Sequence, residues 1–319
     1  MHKLKLDILR MYKYYRYIIV FIIIFLFIAI FIWVQKINNS IYLEDMQKKV
    51  DESLQIAINE VEVQKEQALS IAVLTANKET IIDGYKKNDR KKLFRELESE
   101  IKTFEHSTKY HYDIQLHTED VKSYVCSWDF NSTGMELKTF RQGILKVKST
   151  KKPIVGIELG KRLNIKAIAP IFSNNVYIGS VEAIIGFDKI EEKLKKQNII
   201  FCVLLNEKYI SNATLTKRFD KVNGFAQITD GCKGDCLKSL SSSIDQIGPG
   251  IMQTPNFDFG FIPFYDYQSN HLGYIGVALE KRLTYMDYFN FNKQMNHHID
   301  NVYLQKHSFP IEINGILIK

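Results

Sequence analysis

The longest apolar run of the chain lies near its N-terminus. Residues 17–34 are eighteen consecutive positions without a charge, and a helix of that length covers about 27 Å, enough for the hydrocarbon core of a bilayer. Arg16 and Lys36 bracket the run, and Tyr17 and Trp33 suit the two membrane interfaces. The alternative is a cleaved signal peptide, but no small-residue cleavage site follows. The pattern predicts one uncleaved anchor.

Residues 37–76 then show apolar positions at helical spacing with no Gly or Pro among them. Gln64 breaks this apolar seam. Two interpretations stay open: the seam packs on its own domain, or it pairs with a second copy in a dimeric stalk. A second helix is predicted over 88–105. The seam consists of Leu43, Met46, Val50, Leu54, Ala57, Val61, Ala68 and Ile71.

Beyond residue 109 the apolar period changes to two, which is typical of strands. Strands are predicted within 110–118, 122–128, 153–159, 164–172 and 177–187, and a short apolar strand within 199–206. Two helices interrupt this pattern. One is predicted over 135–148 from the spacing of its apolar residues, and the other is predicted to start with Asp188 as its cap.

The pattern around 163–185 recurs 93 residues later, around 257–280. Each copy reads strand, proline, polar turn, glycine, strand, with Pro170 and Pro263 in equivalent places. Each copy therefore predicts an antiparallel hairpin with one buried face. The expected fold class is α+β: a transmembrane helix, a long stalk helix and two tandem antiparallel-sheet domains.

We expect four segments from these patterns. Residues 1–36 are a basic cytoplasmic tail and anchor, and 37–195 are the long helix with a membrane-distal domain. Residues 196–285 are a membrane-proximal domain, and 286–319 are a C-terminal tail.

The composition is that of a folded protein, with 45% apolar and 25% charged residues, which excludes wholesale disorder. The formal net charge is +7, of which residues 1–36 carry +5. The charge is thus a topology signal: it predicts a cytoplasmic N-terminus and an extracytoplasmic remainder in a single-pass inner-membrane protein. A nucleic-acid partner is not expected, because no basic face remains.

The first sheet region carries the motifs IQLHTEDVKSYVCSW (114–128), LKTFRQGILKV (137–147), KKPIVGIELG (151–160) and IAPIFSNNVYIGSVE (168–182). Together with the long helix and the two hairpins, they resemble the double Cache family of extracytoplasmic sensors. These are PAS-like modules on bacterial chemoreceptors, histidine kinases and diguanylate cyclases. The resemblance covers roughly 40–285. It implies that the membrane-distal domain, and less often the membrane-proximal one, binds a small molecule and that binding shifts the long helix.

The resemblance also implies arginines at two places where this chain has Cys126 and Lys166. The second departure is the ending, since family members return through the membrane to a cytoplasmic output module. We therefore expect a sensor that depends on a separate signalling partner or is truncated.

Four residues are candidates for the ligand pocket: Tyr124, Trp128, Arg141 and Lys166. Tyr124 and Trp128 alternate with Cys126 and would form an aromatic wall on one strand face. Arg141 falls on the apolar stripe of its predicted helix, so it needs an anionic partner. That partner is a ligand or, as the plainer interpretation, a structural pair with Glu158 or Glu182.

Cys232 and Cys236 can close a disulfide loop in an oxidising compartment, and zinc is the weaker interpretation. We expect no metal and no cofactor. No catalytic signature is present in the sequence, so we do not expect an enzyme. The predicted function is small-molecule sensing, with a carboxylate or an amino acid as ligand, by a homodimer in the membrane. The alternative is an anchored structural or interaction protein that dimerises through residues 37–76.

Overall fold

The first helix of this computed structural model, α1, runs without a break through the predicted anchor and the long helix, as His2–Ala76. The structure describes residues 2–214, 220–222, 224–242, 247–281, 311–313 and 316–318. The chain divides into two units, Met1–Lys49 and Val50–Lys319. Among the described residues, one stretch of α1 is long and apolar enough to cross a membrane. Its large side chains are exposed, for example Phe27 at 70%.

From Val50 onward one face of α1 is buried within its own unit. The buried positions follow the predicted seam, and they include Gln64. This burial favours packing of the seam on its own chain, because a stalk interface would leave these residues exposed. The seam residues that are buried in this unit are Val50, Leu54, Ala57, Val61 and Ala68.

Two helices follow where the sequence predicted one. They are α2, Glu79–Lys86, and α3, Arg90–Thr108. Asp89 separates them, since its carboxylate accepts a hydrogen bond from the backbone N–H of Lys92 at 2.9 Å and caps α3. The predicted start at 88 therefore marked the cap of α3, and α2 was missed because it is only eight residues long.

The first sheet has five antiparallel strands in the order β2-β1-β5-β4-β3. The first repeated motif forms its β4–β5 hairpin, as predicted. α4 crosses from β2 to β3, and α5 follows β5. The bounds are β1 Asp113–Thr118, β2 Ser123–Cys126, α4 Gln142–Thr150, β3 Ile154–Leu159, β4 Leu163–Ser173, β5 Val176–Ile185 and α5 Asp188–Lys195.

Two helix starts differ from the prediction. α4 begins at Gln142, seven residues later than expected, and Arg141 is its N-cap residue with no side-chain capping bond. In α5 the cap position is Phe187, and Asp188 lies in the first turn, where its charge suits the helix dipole.

The second sheet has six strands in the order β7-β8-β6-β11-β10-β9. The second repeated motif forms its β10–β11 hairpin. Phe259 and Phe261 of β10 are buried and stack with a centroid distance of 6.0 Å. The bounds are β6 Ile200–Asn206, β7 Lys221–Val222, β8 Phe225–Gln227, α6 Asp235–Ser242, β9 Gly250–Gln253, β10 Phe257–Tyr265 and β11 His271–Glu280.

Cys232 and Cys236 are joined by a disulfide at the start of α6, with their Cα atoms 5.3 Å apart. Cys126 and Cys202 are free and buried. The predicted tail 286–319 lies outside the described residues apart from the short strands β12, Ile311–Ile313, and β13, Ile316–Ile318. The segment boundaries at 36, 195 and 285 stay predictions.

Candidate functional site: a buried charge cluster on the first sheet

Polar side chains gather on one face of the first sheet. β1 and β5 pair so that Gln115 is opposite Glu182 and His117 is opposite Ser180. Because side chains alternate along a strand, all four share a face. His117 Nδ1 lies 3.0 Å from Ser180 Oγ. All four are buried, so this face is a polar interior that must satisfy its hydrogen bonds internally or with a ligand.

Arg141 joins this face from the start of α4. Its Nη2 donates to Glu158 Oε2 at 3.0 Å and also to Glu182 Oε1. The other oxygen of Glu158 accepts from the backbone N–H of Gly143 at 3.0 Å. Glu158 therefore holds the first turn of α4 to β3 while it shares Arg141 with β5. We call Arg141, Glu158, Lys166, Glu182 and His117 the Arg141 cluster.

Lys166 is the second cation of the cluster. A Cβ on Gly160 would lie 2.6 Å from Lys166 Nζ and 3.7 Å from Arg141 Cδ. Both cations thus border the backbone of Gly160, and Lys166 is only 3% exposed. The structure brings these two predicted pocket residues together.

The ionisation of the cluster follows from burial and from the neighbouring charges. Burial lowers the pKa of Lys166 to about 8, with the Arg141 charge as a second cause. Burial also lowers the pKa of His117. Burial alone would raise the pKa of Glu182, but the charge of Arg141 outweighs burial and holds this pKa below its usual range. Burial alone would lower the pKa of Arg141, but the charges of Glu158 and Glu182 outweigh burial and raise it. By formal charge, Arg141 and Lys166 face Glu158 and Glu182, and the lowered pKa of His117 keeps its ring neutral at pH 7.

Several buried polar atoms at the cluster have no hydrogen-bond partner among the described residues. Arg141 Nε is one, and the others face each other: His117 Nε2 and Glu182 Oε2 are 3.7 Å apart, too far for a hydrogen bond. In this buried site Arg141 Nε is a donor and Glu182 Oε2 is an acceptor, and the role of His117 Nε2 depends on the tautomer. Since buried polar groups are almost always paired in native proteins, this unused capacity marks the cluster as a candidate binding site.

The turn of the β10–β11 hairpin reaches the cluster from the second sheet. A Cβ on Gly156 would lie 2.9 Å from the hydroxyl oxygen of Tyr267, and a Cβ on Gly143 would lie 3.0 Å from the edge of its ring. The two glycines thus make room for this phenol. Asp266 fixes the turn, because its Oδ1 accepts the backbone N–H groups of Gln268 and Asn270, each at 2.8 Å.

The Tyr267 hydroxyl is buried and has no partner within the described ranges. Burial raises the pKa of Tyr267, and the charges of Glu158 and Glu182 add to the effect. The phenol is therefore neutral and remains a hydrogen-bond donor at the edge of the cluster. An aromatic side chain from one sheet occupies a place beside the charges of the other.

The other two predicted pocket residues lie elsewhere. The ring of Tyr124 is 5.0 Å from that of Tyr85 in α2, and its hydroxyl donates to Asn88 at 2.6 Å. Trp128 is 43% exposed, in the turn after β2. Strict alternation along 124–128 is wrong for two reasons: the β1–β2 register shifts between Leu116 and His117, which skips Tyr124, and β2 ends at Cys126, before Trp128. This irregularity turns Tyr124 towards α2, away from the Arg141 cluster.

Sequence patterns also left three contributors unrecognised: Gln115, His117 and Tyr267. Gln115 and His117 were visible as polar residues within an apolar strand, which is a signal of a polar sheet face. Tyr267 lies in a polar turn 126 positions after Arg141, and no local pattern joins positions so far apart.

A family model described as the double sensory domain of two-component sensor kinase, dCache_3, matches residues 43–219. The chain belongs to this double Cache family. The match confirms the resemblance seen in the sequence and, with the two antiparallel sheets, the expected α+β Cache fold. Cache domains of this kind are sensory, ligand-binding modules. No curated protein matches the sequence significantly.

Solved Cache sensor domains are similar over most of the chain. The sensor domain of the Vibrio cholerae histidine kinase DctB has 10% identity, covers 76% of this chain and 99% of its own, and gives a TM-score of 0.46. The ligand-binding domain of the Campylobacter jejuni chemoreceptor Tlp3 was solved with 4-methylisoleucine. It has 14% identity, covers 74% of this chain and 91% of its own, and gives a TM-score of 0.43. The Tlp3 sensory domain with isoleucine bound has 15% identity, covers 75% of this chain and 93% of its own, and gives a TM-score of 0.42.

Proposed function

We propose that this Cache protein senses a small zwitterion of the amino-acid class at the Arg141 cluster. The observation that carries the proposal is the charge balance of the cluster. Two buried cations already face two buried anions, so a ligand with a single net charge would leave one charge uncompensated. A molecule with one carboxylate and one ammonium keeps the balance.

The atoms available to such a ligand have the required chemistry. Arg141 Nε and the ammonium of Lys166 suit a carboxylate, and Glu182 Oε2 suits an ammonium group. Each of these side chains is at least 95% buried, which strengthens electrostatic interactions with the ligand.

The ligand and Tyr267 compete for the same place in this proposal. The phenol fills the space in front of Gly143 and Gly156 beside the cluster, so a bound ligand displaces the turn. Further along the same hairpin, a Cβ on Gly260 would lie 2.5 Å from Val50 Cγ1. The hairpin therefore contacts the cluster at one end and α1 at the other, and its displacement moves the long helix.

The test is a binding screen on the full chain in lipid nanodiscs. Thermal shift and calorimetry are measured with the common L-amino acids. Succinate, which carries only negative charges, and putrescine, which carries only positive charges, are the controls. We expect binding of an amino acid and of neither control. Tyr267→Ala should raise the affinity for that hit about tenfold, whereas Tyr265→Ala, an exposed residue of the same hairpin, should leave it unchanged. Binding of succinate or putrescine alone, or an affinity insensitive to Tyr267→Ala, would contradict the proposal.

We also propose that α1 anchors the protein in the inner membrane, with residues 1–16 in the cytoplasm and the sensory part outside. The proposal is supported by the exposed apolar stretch of α1 and by the charge excess of residues 1–36. In this arrangement a movement of the long helix is carried directly into the membrane, to a separate signalling partner.

Dimerisation through the long helix, the basis of the alternative structural function, is favoured by one observation. The seam is buried within the chain itself, but Val63 and Leu74 lie outside the seam on α1 and are 47% and 73% exposed. They are three helical turns apart, which places them on one line. Val63→Asp with Leu74→Asp should convert a dimer to a monomer in analytical ultracentrifugation. An unchanged molecular mass would show that Val63 and Leu74 do not form a dimer interface.

A further inference from the structure

Gln64 interrupts the buried apolar face of α1 at a considerable cost. Its side chain is only 1% exposed, and neither Nε2 nor Oε1 has a hydrogen-bond partner in the part of the chain that the structure describes. Val61 and Ala68, one turn away on either side, are apolar and buried. An apolar residue at position 64 would extend this face and remove the penalty of an unpaired amide.

Gln64 is one of the residues that line a cavity of about 150 Å³. The cavity lies between α1, the C-terminal end of α3 and the part of the first sheet where β1 begins and β5 ends. None of the five residues of the Arg141 cluster lines it. An engineered cavity of about 150 Å³ holds a benzene molecule, so this one accommodates a small organic molecule. We call it the Gln64 cavity.

The walls of the Gln64 cavity carry two aspartates and two side chains of Lys or Arg. Arg162 Nη1 lies 4.0 Å from Asp113 Oδ2, and Lys189 Nζ donates to Gln67 Oε1 at 3.0 Å. Lys189 also lies 4.8 Å from the centre of the Tyr110 ring. By formal charge the lining balances, with Arg162 and Lys189 against Asp113 and Asp188, and His111 Nε2 lies 3.1 Å from Asp113 Oδ1. Gln64 adds to this lining a buried donor and a buried acceptor that have no partner among the described residues.

We propose that the Gln64 cavity is a second binding site, for a small neutral molecule that carries a primary carboxamide. A primary amide presents one donor and one acceptor side by side, so it pairs with the Gln64 amide through two parallel hydrogen bonds. The aromatic ring of Tyr110 and the side chain of Ile184, which also line the cavity, contact the apolar part of the ligand.

The location gives this site a role in signalling. Gln64 and Gln67 belong to α1, whereas Asp113, Arg162 and Ile184 belong to the first sheet or its edge. An occupant bridges the long helix and the sheet, and therefore holds the element that the proposed ligand of the Arg141 cluster would shift. The second ligand acts as a modulator of the first.

The test uses acetamide as the probe, with acetate and acetone as shape-matched controls, on the full chain in lipid nanodiscs. Ligand-observed saturation-transfer NMR should detect acetamide at millimolar concentration and neither control. Gln64→Met, which keeps the length of the side chain, should weaken acetamide binding at least tenfold and melt at or above the wild-type temperature. Gln55→Leu, an exposed glutamine of the same helix, should bind acetamide as the wild type does.

Three outcomes would overturn the proposal. The first is the absence of an acetamide signal, and the second is equal binding by the wild type and Gln64→Met. The third is a melting temperature of Gln64→Met well below that of the wild type, since the amide would then serve the fold. Binding of amino acids at the Arg141 cluster is measured separately on the same variants, so a failure there does not decide the fate of the Gln64 cavity.

Discussion

Glu182 shows what a single charge contributes at the Arg141 cluster. It is fully buried and accepts a hydrogen bond from Arg141. Glu182→Gln leaves the buried guanidinium with one counter-charge instead of two, so we expect the free energy of unfolding at pH 7 to fall by roughly 3 kcal/mol. Denaturant titration measures the change.

The matched control for this prediction is Glu192→Gln. Glu192 pairs with Lys196 one turn away on an exposed helix surface, where such pairs add little. Its removal should leave the denaturation midpoint unchanged. The pKa of Glu182 is lowered, so its contribution is present at neutral pH and is lost on acidification. A difference between Glu182→Gln and the wild type that did not decrease between pH 5 and pH 2 would contradict an electrostatic origin.

Lys166 predicts how ligand binding depends on pH. Its pKa is lowered to about 8, mainly by burial, so the side chain loses its charge as the pH rises from 7 to 9. The affinity for an amino-acid ligand should therefore fall roughly tenfold over this range. In Lys166→Arg the charge persists, and calorimetry should show a smaller fall. If the affinity of the two proteins depends on pH in the same way, Lys166 does not contact the ligand.

Single residues also show where sequence reasoning ends. An arginine among apolar positions demands a counter-charge, and that argument singled out Glu158 and Glu182 before any contact was known. The direction of Tyr124 was beyond such reasoning, because one irregular step in the β1–β2 pairing reverses the face of every residue after it.

At the scale of elements, the close contact between β10 and α1 depends on Gly260. Its missing side chain leaves room for Val50 and Leu54, whose atoms would lie 2.5 Å and 2.7 Å from a Cβ at this position. Gly260→Val overfills a buried contact, so we expect the free energy of unfolding to fall by about 1–3 kcal/mol. Thermal and urea unfolding measure this change.

Gly248→Ala is the control for Gly260→Val, because no atom in the described part of the chain lies within 4 Å of a Cβ at Gly248. It should melt like the wild type. If both variants have wild-type stability, β10 and α1 are not held as closely as proposed, and the hairpin loses its route to the long helix.

The elements themselves were largely predictable. Alternation of apolar residues predicted the strands, and the repeated strand–proline–turn–glycine plan predicted both hairpins. Helix ends were less predictable. The residues from Met135 to Arg141 have helical apolar spacing, yet they lie in turns and a short bridge before α4. Their backbone instead bonds β2 and its flank, as in Ser123 N–H to Met135 O at 3.0 Å.

At the scale of the whole molecule, the proposed topology is testable with the cysteines already present. Cys126 and Cys202 are buried and the other two form a disulfide, so the wild type should not react with a membrane-impermeant maleimide. Lys238→Cys places a thiol at an exposed position and should be labelled on intact spheroplasts. Lys3→Cys should be labelled only after the membrane is permeabilised. The reverse pattern would invert the proposed orientation.

The overall architecture could be predicted because its signals are long-range repeats and periods. The relation between the two sheets could not. Tyr267 reaches the Arg141 cluster through a turn whose sequence is ordinary, and only the folded chain brings Gly143 and Gly156 in front of it. Contacts of this kind depend on three-dimensional packing and leave no mark in any window of sequence.

The place taken by Tyr267 has a consequence for the range of concentrations that the sensor can report. If the site is open only in a fraction of molecules, the apparent dissociation constant equals the intrinsic one divided by that fraction. A substitution at position 267 then changes the working range while the atoms that touch the ligand stay the same. Sensitivity and selectivity would be set at separate positions of the chain, and each could be retuned without loss of the other.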